Sequence, residues 1–509
     1  DGSDPLSNTI LKATGDTPHW RTVLSAGGGN ITKWSDQVSG TKRDIVSDTV
    51  WVGDREFEVS DASPFTAGDN IIIYHPCTAG WLAAIDSGGT FYDSTGADPY
   101  ADFPWSVGSQ PILYNRYIKS IDGNKITIDA PVFNHLIREQ SQSYIYKYAR
   151  QGLRTQIGIE NLRIDIVTGN QPDEAHAWTA IDLFQVEDAW IRNCTMLHFG
   201  LSGIQTGTAT RVTVENCKAL DPVCVIEGGK RYNFNVYTAS QLILFKNCQA
   251  TNGRHSYVSN GASWTSGCVF LDCTSSGAFA SSEGHRRWSQ GLLYDNHVEL
   301  DGPRGGFNPR LLGLYNRAYY GTSHGWAAVH SVAWGCDVAG GDLIVQQPPT
   351  AQNYAIGCFG ARITGVAPPA SFPAPSGYIE GSNQTGLMPR SLYLAQLEDR
   401  IGPALGIGED RDHQHTLAGF ILQQNYPNPF NPQTTIAYAL PEAGKVKITI
   451  FDMTGQKVTE LVNARQLKGS FQVVWDGCNM AGEQVASGIY LYRMQSDNFA
   501  QSKKMILIR

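Results

Sequence analysis

Short apolar runs separated by turn residues dominate the chain, and the alternation they follow is the two-residue period of strands. Through the middle, four strings recur: Ile191-Arg-Asn-Cys194, Val214-Glu-Asn-Cys217, Phe245-Lys-Asn-Cys248 and Phe270-Leu-Asp-Cys273. Each is a β-branched or aromatic residue, a spacer, an amide or acid, then a cysteine, and the cysteines are spaced by 23, 31 and 25 residues. Short-strand units returning every two to three dozen residues predict a solenoid. The expected fold is all-β: a right-handed parallel β-helix with one string per coil. Ile159-Glu-Asn-Leu-Arg-Ile164 reads as an earlier coil without the cysteine. Leu292-Leu-Tyr-Asp-Asn-His-Val298, Ala333-Trp-Gly-Cys336 and Ala355-Ile-Gly-Cys358 read as later ones. The 40-residue gap from Asn296 to Cys336 predicts a coil with an inserted loop. Asparagine suits such corners because it tolerates left-handed backbone, and stacked amides can bond along the axis.

Outside the repeat the patterning divides the chain. Residues 1–150 alternate polar turns with strands and are expected to form an N-terminal cap and the entry strands; residues 151–365 carry the coils. Residues 366–417 open with Ala367-Pro-Pro-Ala-Ser-Phe-Pro-Ala-Pro375 and read as an exit segment and linker. Residues 418–509 show about seven short alternating strands with turn signals, a small β-sandwich. The Gly-, Asp-, Ser- and Tyr-rich stretch from Gly80 to Trp105 predicts a long loop of the kind that carries binding function.

Two of these segments resemble known families. Phe65-Thr-Ala-Gly-Asp-Asn-Ile-Ile-Ile73 followed by Tyr117-Ile-Lys-Ser-Ile-Asp-Gly-Asn-Lys-Ile-Thr-Ile-Asp129 resembles the entry segment of pectate-lyase-like β-helices. At the other end, Asn425-Tyr-Pro-Asn-Pro-Phe-Asn-Pro432, Val446-Lys-Ile-Thr-Ile-Phe-Asp452, Val474-Trp-Asp-Gly477, Ala486-Ser-Gly-Ile-Tyr-Leu-Tyr492 and Lys503-Lys-Met-Ile-Leu-Ile-Arg509 resemble the C-terminal sorting domain of the type IX secretion system. That second resemblance implies a Bacteroidetes-like source, a partnership with the type IX secretion machinery, and a secreted or cell-surface protein exported across the outer membrane. The chain opens at Asp1 rather than Met, and a removed secretion signal is the matching expectation.

Composition narrows the function classes. With 53 glycines, 10% aromatic and only 17% charged residues in 509, the chain suits a turn-rich β-protein. A formal charge of −8 argues against nucleic acid as a partner, and no apolar run reaches the roughly 18 residues of a membrane span. The repeat cysteines are expected to stack as buried free thiols: coils about 4.8 Å apart meet the distance for a disulfide, but aligned inward side chains rarely meet its dihedral.

Candidate chemistry concentrates in the later coils. Residues 229–330 hold nine Lys/Arg against five Asp/Glu, and five of the twelve histidines, which favours an anionic ligand. Four strings lie there: Lys230-Arg-Tyr-Asn233, Arg254-His-Ser-Tyr257, Glu283-Gly-His-Arg-Arg-Trp288 and Ser323-His-Gly-Trp326. Histidines beside arginines and aromatics are what a uronate lyase needs: a cation on the carboxylate acidifies the neighbouring proton, a base removes it, and an acid protonates the departing oxygen. The candidate catalytic set is His255, His285, Arg254, Arg287 and Tyr232. The candidate substrate-binding set is Arg231, Arg286, Trp288, His324, Trp326 and His176, with the two tryptophans as sugar platforms. The acids of Asp173-Glu-Ala-His-Ala-Trp178 could bind calcium, while the lack of a CxxC pair argues against a four-cysteine metal site. Asp272 and Asp295 stand at or beside repeat positions where other coils carry Asn and read as scaffold.

The reading is therefore a secreted lyase acting on an anionic, uronate-containing polysaccharide. A glycoside hydrolase on the same fold and a non-catalytic carbohydrate-binding, adhesin or filament protein are its rivals. Neither the aspartate cluster of pectin hydrolases nor the aspartate set of calcium-dependent pectate lyases is found, so the resemblance carries over the fold and not the catalytic residues.

Overall fold

The structure is a computed structural model; it describes residues 9–16, 20–28, 34–90, 104–169, 173–302, 309–318, 323–338, 340–366, 374–401, 420–422, 425, 430–440, 443–452, 455–466, 469–496 and 499–507. The chain divides into two compact units, residues 1–394 and 395–509.

The first unit is a parallel β-helix of three sheets. Nine strands form the first sheet, from Thr22–Gly27 through Thr179–Phe184, Ser202–Gly207, Tyr232–Val236, His255–Ser259, Ser282–Gly284, Arg310–Leu314 and Asp342–Val345 to Arg362–Thr364. The second sheet carries the Ile191, Val214, Phe245, Phe270 and Tyr294 positions in register, and the third begins at Thr9–Ala13. Thr9–Ala13 and Thr22–Gly27 pair with Leu162–Ile166 and Thr179–Phe184. The first coil thus precedes everything else in the sequence. Between it and the second coil lies an antiparallel sheet within residues 43–147, which lies against the flank of the middle coils. Gln241 and Gln290 meet it: the Gln241 side chain accepts from Asn115 N and Arg116 Nη1, and Gln290 pairs with the Tyr114 hydroxyl.

Left-handed backbone marks the corner after the second sheet, as the amide string predicts. Asn161, Asn193, Asn216, Asn247, Asp272 and Asn296 have φ of 57°, 52°, 54°, 53°, 51° and 52°, and glycines take over at Gly335 and Gly357. The Asn193 amide donates to Asn161 Oδ1 at 3.0 Å. Asp272 pairs with Arg390, and Asp295 accepts from the Ser391 hydroxyl and Tyr393 N–H, so both acids serve the scaffold. The row of cysteines lies inside: all are free and buried, and each thiol donates to a carbonyl one coil back, as Cys217 does to Ile191 and Cys273 to Phe245 at 3.6 Å. Beside them Phe245, Phe270 and Tyr294 stack at 5.3 and 4.7 Å between centroids. Each such pair adds about 1 kcal/mol to what burial alone provides. One rung breaks the row. His297 takes the place of a cysteine, and its Nε2 meets Glu299 at 2.9 Å with both side chains fully buried.

The stretch expected to be a long loop from Gly80 includes a short helix, Ala79–Ala84, capped by the Thr78 hydroxyl and anchored by buried Trp81. Residues 91–103 of that stretch lie outside the described residues.

The second unit is a two-layer β-sandwich. Its three-stranded sheet includes Thr434–Leu440 and Gly469–Trp475; Gly444–Asp452 is central to the four-stranded one. Ile448, Ile450, Trp475, Tyr492 and Leu507 fill the space between the layers.

Candidate active site

Consecutive coils of the first sheet bring seven ionisable groups to one place. Tyr232 and His255 are register partners at the starts of their strands. The next strand contributes Glu283, and His285 follows two residues on, a spacing that puts both side chains on one face. The coil after that supplies Arg310, Tyr315 and Arg317. Left-handed residues surround this region: Arg287 (51°), Trp288 (65°), Ala318 (47°) and Ser323 (51°), none of them glycine. Such conformations cost about 1–2 kcal/mol each and persist where the surroundings enforce them.

Glu283 is the hub. Its Oε1 lies 2.8 Å from His285 Nδ1, 3.4 Å from His255 Nδ1 and 3.3 Å from Arg317 Nε. Its Oε2 accepts from the Ser281 hydroxyl at 2.6 Å and the Tyr315 hydroxyl at 2.9 Å, and Arg310 Nη1 donates to that phenol oxygen at 2.7 Å. Burial raises the carboxyl's pKa, but Arg317, His255, the Ser281 hydroxyl and Arg310 outweigh it and hold it at about 2. Glu283 is thus ionised throughout the physiological range.

Around it the imidazoles are neutral. Burial, with the positive field of Arg254 and Arg317, drives His255 well below its usual value; burial, Arg317 and His324 do the same to His285. His324, with its ring 5.1 Å from that of His285, falls to about 2 through burial and Arg317. The tautomers follow from the partners. His255 Nδ1 faces the Ser281 carbonyl at 2.6 Å and must carry the proton, leaving Nε2 as a lone pair with no hydrogen bond. His285 Nδ1 stands between Glu283 and Arg317 Nη1, the latter at 2.7 Å. Arg317 Nη1 also has the His285 carbonyl at 2.8 Å as an acceptor, so we assign the Nδ1 proton to the bond with Glu283. Nε2 of His285 is then a free lone pair among the described residues. The Tyr232 ring lies 5.7 Å from His285 and 5.8 Å from His255, and Arg254 Nη1 reaches its hydroxyl at 3.5 Å.

His255, Glu283 and His285 also have the composition of a two-histidine, one-carboxylate metal triad, their ligating atoms within 4.8 Å of one another. Arg317 already lies against two of these groups, with Nη1 2.7 Å from His285 Nδ1 and Nε 3.3 Å from Glu283 Oε1, so a cation bound to those two atoms would have to displace its guanidinium.

Of the residues singled out from sequence, His255, His285, Tyr232, Arg254 and His324 come together here. Arg286 and Arg287 border them, half-buried, with Arg286 Nε on the Asn260 carbonyl and Arg287 Nε on that of Ser323. Four do not serve as expected. Trp288 is fully buried, donates to Asn134 and packs edge-on against Trp81; Trp326 is 4% exposed in the same core. Neither ring face is available to a sugar. His176 is fully buried with its ring nitrogens against the carbonyls of Ala177, Asp173 and Val223, so it binds backbone rather than ligand. Arg231 turns its guanidinium onto the Cys224 carbonyl. The calcium expectation also fails to fit: Asp173 accepts from the N–H groups of Gly169 and Ala175, and Glu174 pairs with Lys230 at 2.6 Å. Sequence reasoning missed Glu283, Arg317, Tyr315 and Arg310. The first had a signal, the Glu-x-His alternation of one strand; the others lie beyond an irregular coil and had none.

Residues 431–499 match the FlgD Ig-like domain family. No curated protein sequence matches the chain. Among solved structures, the tailspike protein gp49 of Pseudomonas phage LKA1 aligns over 98% of this chain and 85% of its own, at 12% identity and a TM-score of 0.36. The gp54 tailspike of Acinetobacter baumannii bacteriophage AP22, solved with A. baumannii capsular saccharide, aligns over 98% and 89% at 11% identity and a TM-score of 0.29. PorU of Porphyromonas gingivalis shares 23% identity over 18% of this chain, with a TM-score of 0.16, and the alignment spans 9% of PorU. Likenesses this distant carry no argument about chemistry, which rests on the geometry above.

Proposed function

We propose that the β-helix is a polysaccharide lyase that cleaves a uronate-containing glycan by β-elimination. The observation that carries this reading is a neutral imidazole, His285, oriented by an ionised carboxylate and flanked by guanidinium and phenol groups. In this scheme Arg254 binds the uronate carboxylate and stabilises the charge that builds up as C5 loses its proton. His285 Nε2 takes that proton, and Glu283 stabilises the imidazolium so formed. The C5 electron pair becomes the C4–C5 double bond, and the C4–O bond breaks with its electrons on the glycosidic oxygen. Tyr232 protonates that oxygen, and the proton on His285 returns to the phenolate through solvent. His255 and Arg317 position the pair.

Hydrolysis is less well supported. Glycoside hydrolases place two carboxyl groups roughly 5–9.5 Å apart. The register row of Glu283 on the first sheet runs through Val258, Asn235 and Gln205 to Asp182. Four strand spacings put Asp182 about 19 Å away.

A screen of alginate, polygalacturonate and glycosaminoglycans, read by near-ultraviolet absorbance of the unsaturated uronate, tests the proposal. New reducing ends without that absorbance refute the lyase in favour of the hydrolase. Binding without product leaves the non-catalytic reading. For the C-terminal unit we read a type IX sorting signal, which makes the protein secreted or surface-attached. A reporter carrying residues 418–509 should reach the surface of a type IX-competent bacterium and stay in the periplasm when the secretion machinery is deleted; retention in both strains refutes it.

A further inference from the structure

One corner of the solenoid runs from the candidate site toward the first coil as a continuous backbone ladder. Arg254 N donates to Arg231 O, Arg231 N to Gly200 O, Leu201 N to Trp178 O, and Trp178 N to Arg21 O. At the far end of that row stands Trp20. Its indole is 68% exposed, level with Val366 and Met480 as the most exposed large apolar side chains among the described residues. It is also held: Trp178, itself 3% exposed, stacks beneath it with centroids 4.2 Å apart and planes within 24°. Trp178 is fixed in turn by its indole N–H on the Glu174 carbonyl at 3.1 Å and by the Lys230 ammonium 5.3 Å from its ring centroid. A large flat apolar face kept in water and braced from behind is costly to maintain and pre-organised for stacking.

We propose that Trp20 is a distal sugar platform for the same anionic glycan whose uronate is cleaved at His285, an inference that rests on the lyase reading. Two features select this occupant. The row is continuous with the candidate site, since Thr22, Thr179, Ser202, Tyr232 and His255 are successive register partners. Partly exposed Arg21 and Arg254 stand at the two ends of the row and complement a polyanion, whereas Lys230 is paired with Glu174 and Glu227 and Arg231 is buried on the Cys224 carbonyl. Four strand spacings separate the platform's coil from that of His255, about 19 Å. Only a chain of several sugar units bridges that span, so the platform makes the protein a binder of polymers rather than of short oligomers.

The test uses the full chain, with alginate and polygalacturonate as polymer probes and their di- and trisaccharides as short ones, by calorimetry and, for whichever probe is cleaved, by KM. Trp20→Ala should weaken polymer binding about tenfold while leaving the trisaccharide unchanged, and Trp20→Phe should recover most of the loss. Trp20→Phe keeps a ring on Trp178 and should leave the melting temperature unchanged, whereas Trp20→Ala uncovers Trp178 and should lower it by no more than a few degrees. Equal polymer affinity in wild type and Trp20→Ala, with cleavage intact, overturns the platform and spares the lyase. A wild type that binds and cleaves no uronate polymer overturns both.

Discussion

Oε1 of Glu283 lies 2.8 Å from Nδ1 of His285, and both groups are almost wholly removed from water. That one contact fixes the imidazole's tautomer, aims its free nitrogen and supplies the countercharge for the moment it takes a proton. Glu283→Gln keeps the shape and removes the charge. Activity should fall about 10²–10⁴-fold. Stability should drop by about 3 kcal/mol, because Arg317 is left buried without its counter-ion. Uronate release and urea denaturation read the two effects; a variant as active as wild type removes Glu283 from the mechanism.

The pH profile should lack the acid limb usual for a histidine base. Burial holds His255 and His285 well below 6.5, so the base is already deprotonated at neutral pH and stays so on mild acidification. We expect kcat/KM to be flat through the roughly pH 6–7 range in which an ordinary histidine titrates. Stability moves the other way: unfolded histidines take up protons below about 6.5 that the folded ones refuse, so acid favours unfolding. A limb at pH 6–7 that disappears in His285→Gln would contradict the assigned environment.

Asp182 carries the opposite sign. Burial raises its carboxyl from 3.8 to about 6, the Gln205 side chain only partly offsetting this, so at pH 7 the folded protein holds a charge it disfavours. Its proton is bound more tightly in the folded state, a stabilisation complete below about pH 4 and lost as pH rises through 6. Asp182→Asn should therefore stabilise the fold by about 1–3 kcal/mol at pH 7 and by little at pH 4. Denaturation midpoints at the two pH values check it, and an equal gain at both rules out titration as the cause.

Chelators should leave activity unchanged. Arg317 already provides the positive charge at Glu283 and His285, 3.3 and 2.7 Å from them. Extended dialysis against EDTA, with metal content measured before and after, tests this. Loss of activity restored by one divalent ion would reassign the group.

His297 and Glu299 offer a double-mutant cycle inside the coil that carries Glu283. Either removal alone strands a buried polar partner and should cost about 3–5 kcal/mol. His297→Cys combined with Glu299→Ser restores the residue types of the neighbouring coil, Cys273 and Ser275, and should recover much of that loss. Additive losses would mean the two side chains do not stabilise each other.

Much of the fold was legible because a solenoid writes its geometry into repeated local constraints. A left-handed corner demands Asn, Asp or Gly, and an inward row demands small apolar residues, so Asn193, Asn216 and Asn247 with their cysteines announced both. The flanking sheet within residues 43–147 was not legible as such, since nothing local tells a hairpin which coil it will lie against. The site was half visible. His255 and His285 stood out as residue types rare in strands, whereas Arg317 reaches Glu283 from a different coil and only the turns of the solenoid bring them together. Trp288 and Trp326 misled for a simple physical reason: a large aromatic beside charged residues looks the same in sequence whether it faces a sugar or a core.

Nine of the ten cysteines are sealed inside, each thiol spent as a donor or a small apolar filler, and Cys478 alone is partly accessible. The consequence is an architecture that does not depend on redox conditions, with Cys478 as the one thiol open to oxidation. It needs no oxidant to reach its fold and has no bridge for a reductant to open, so it can pass between reducing and oxidising compartments with the same architecture.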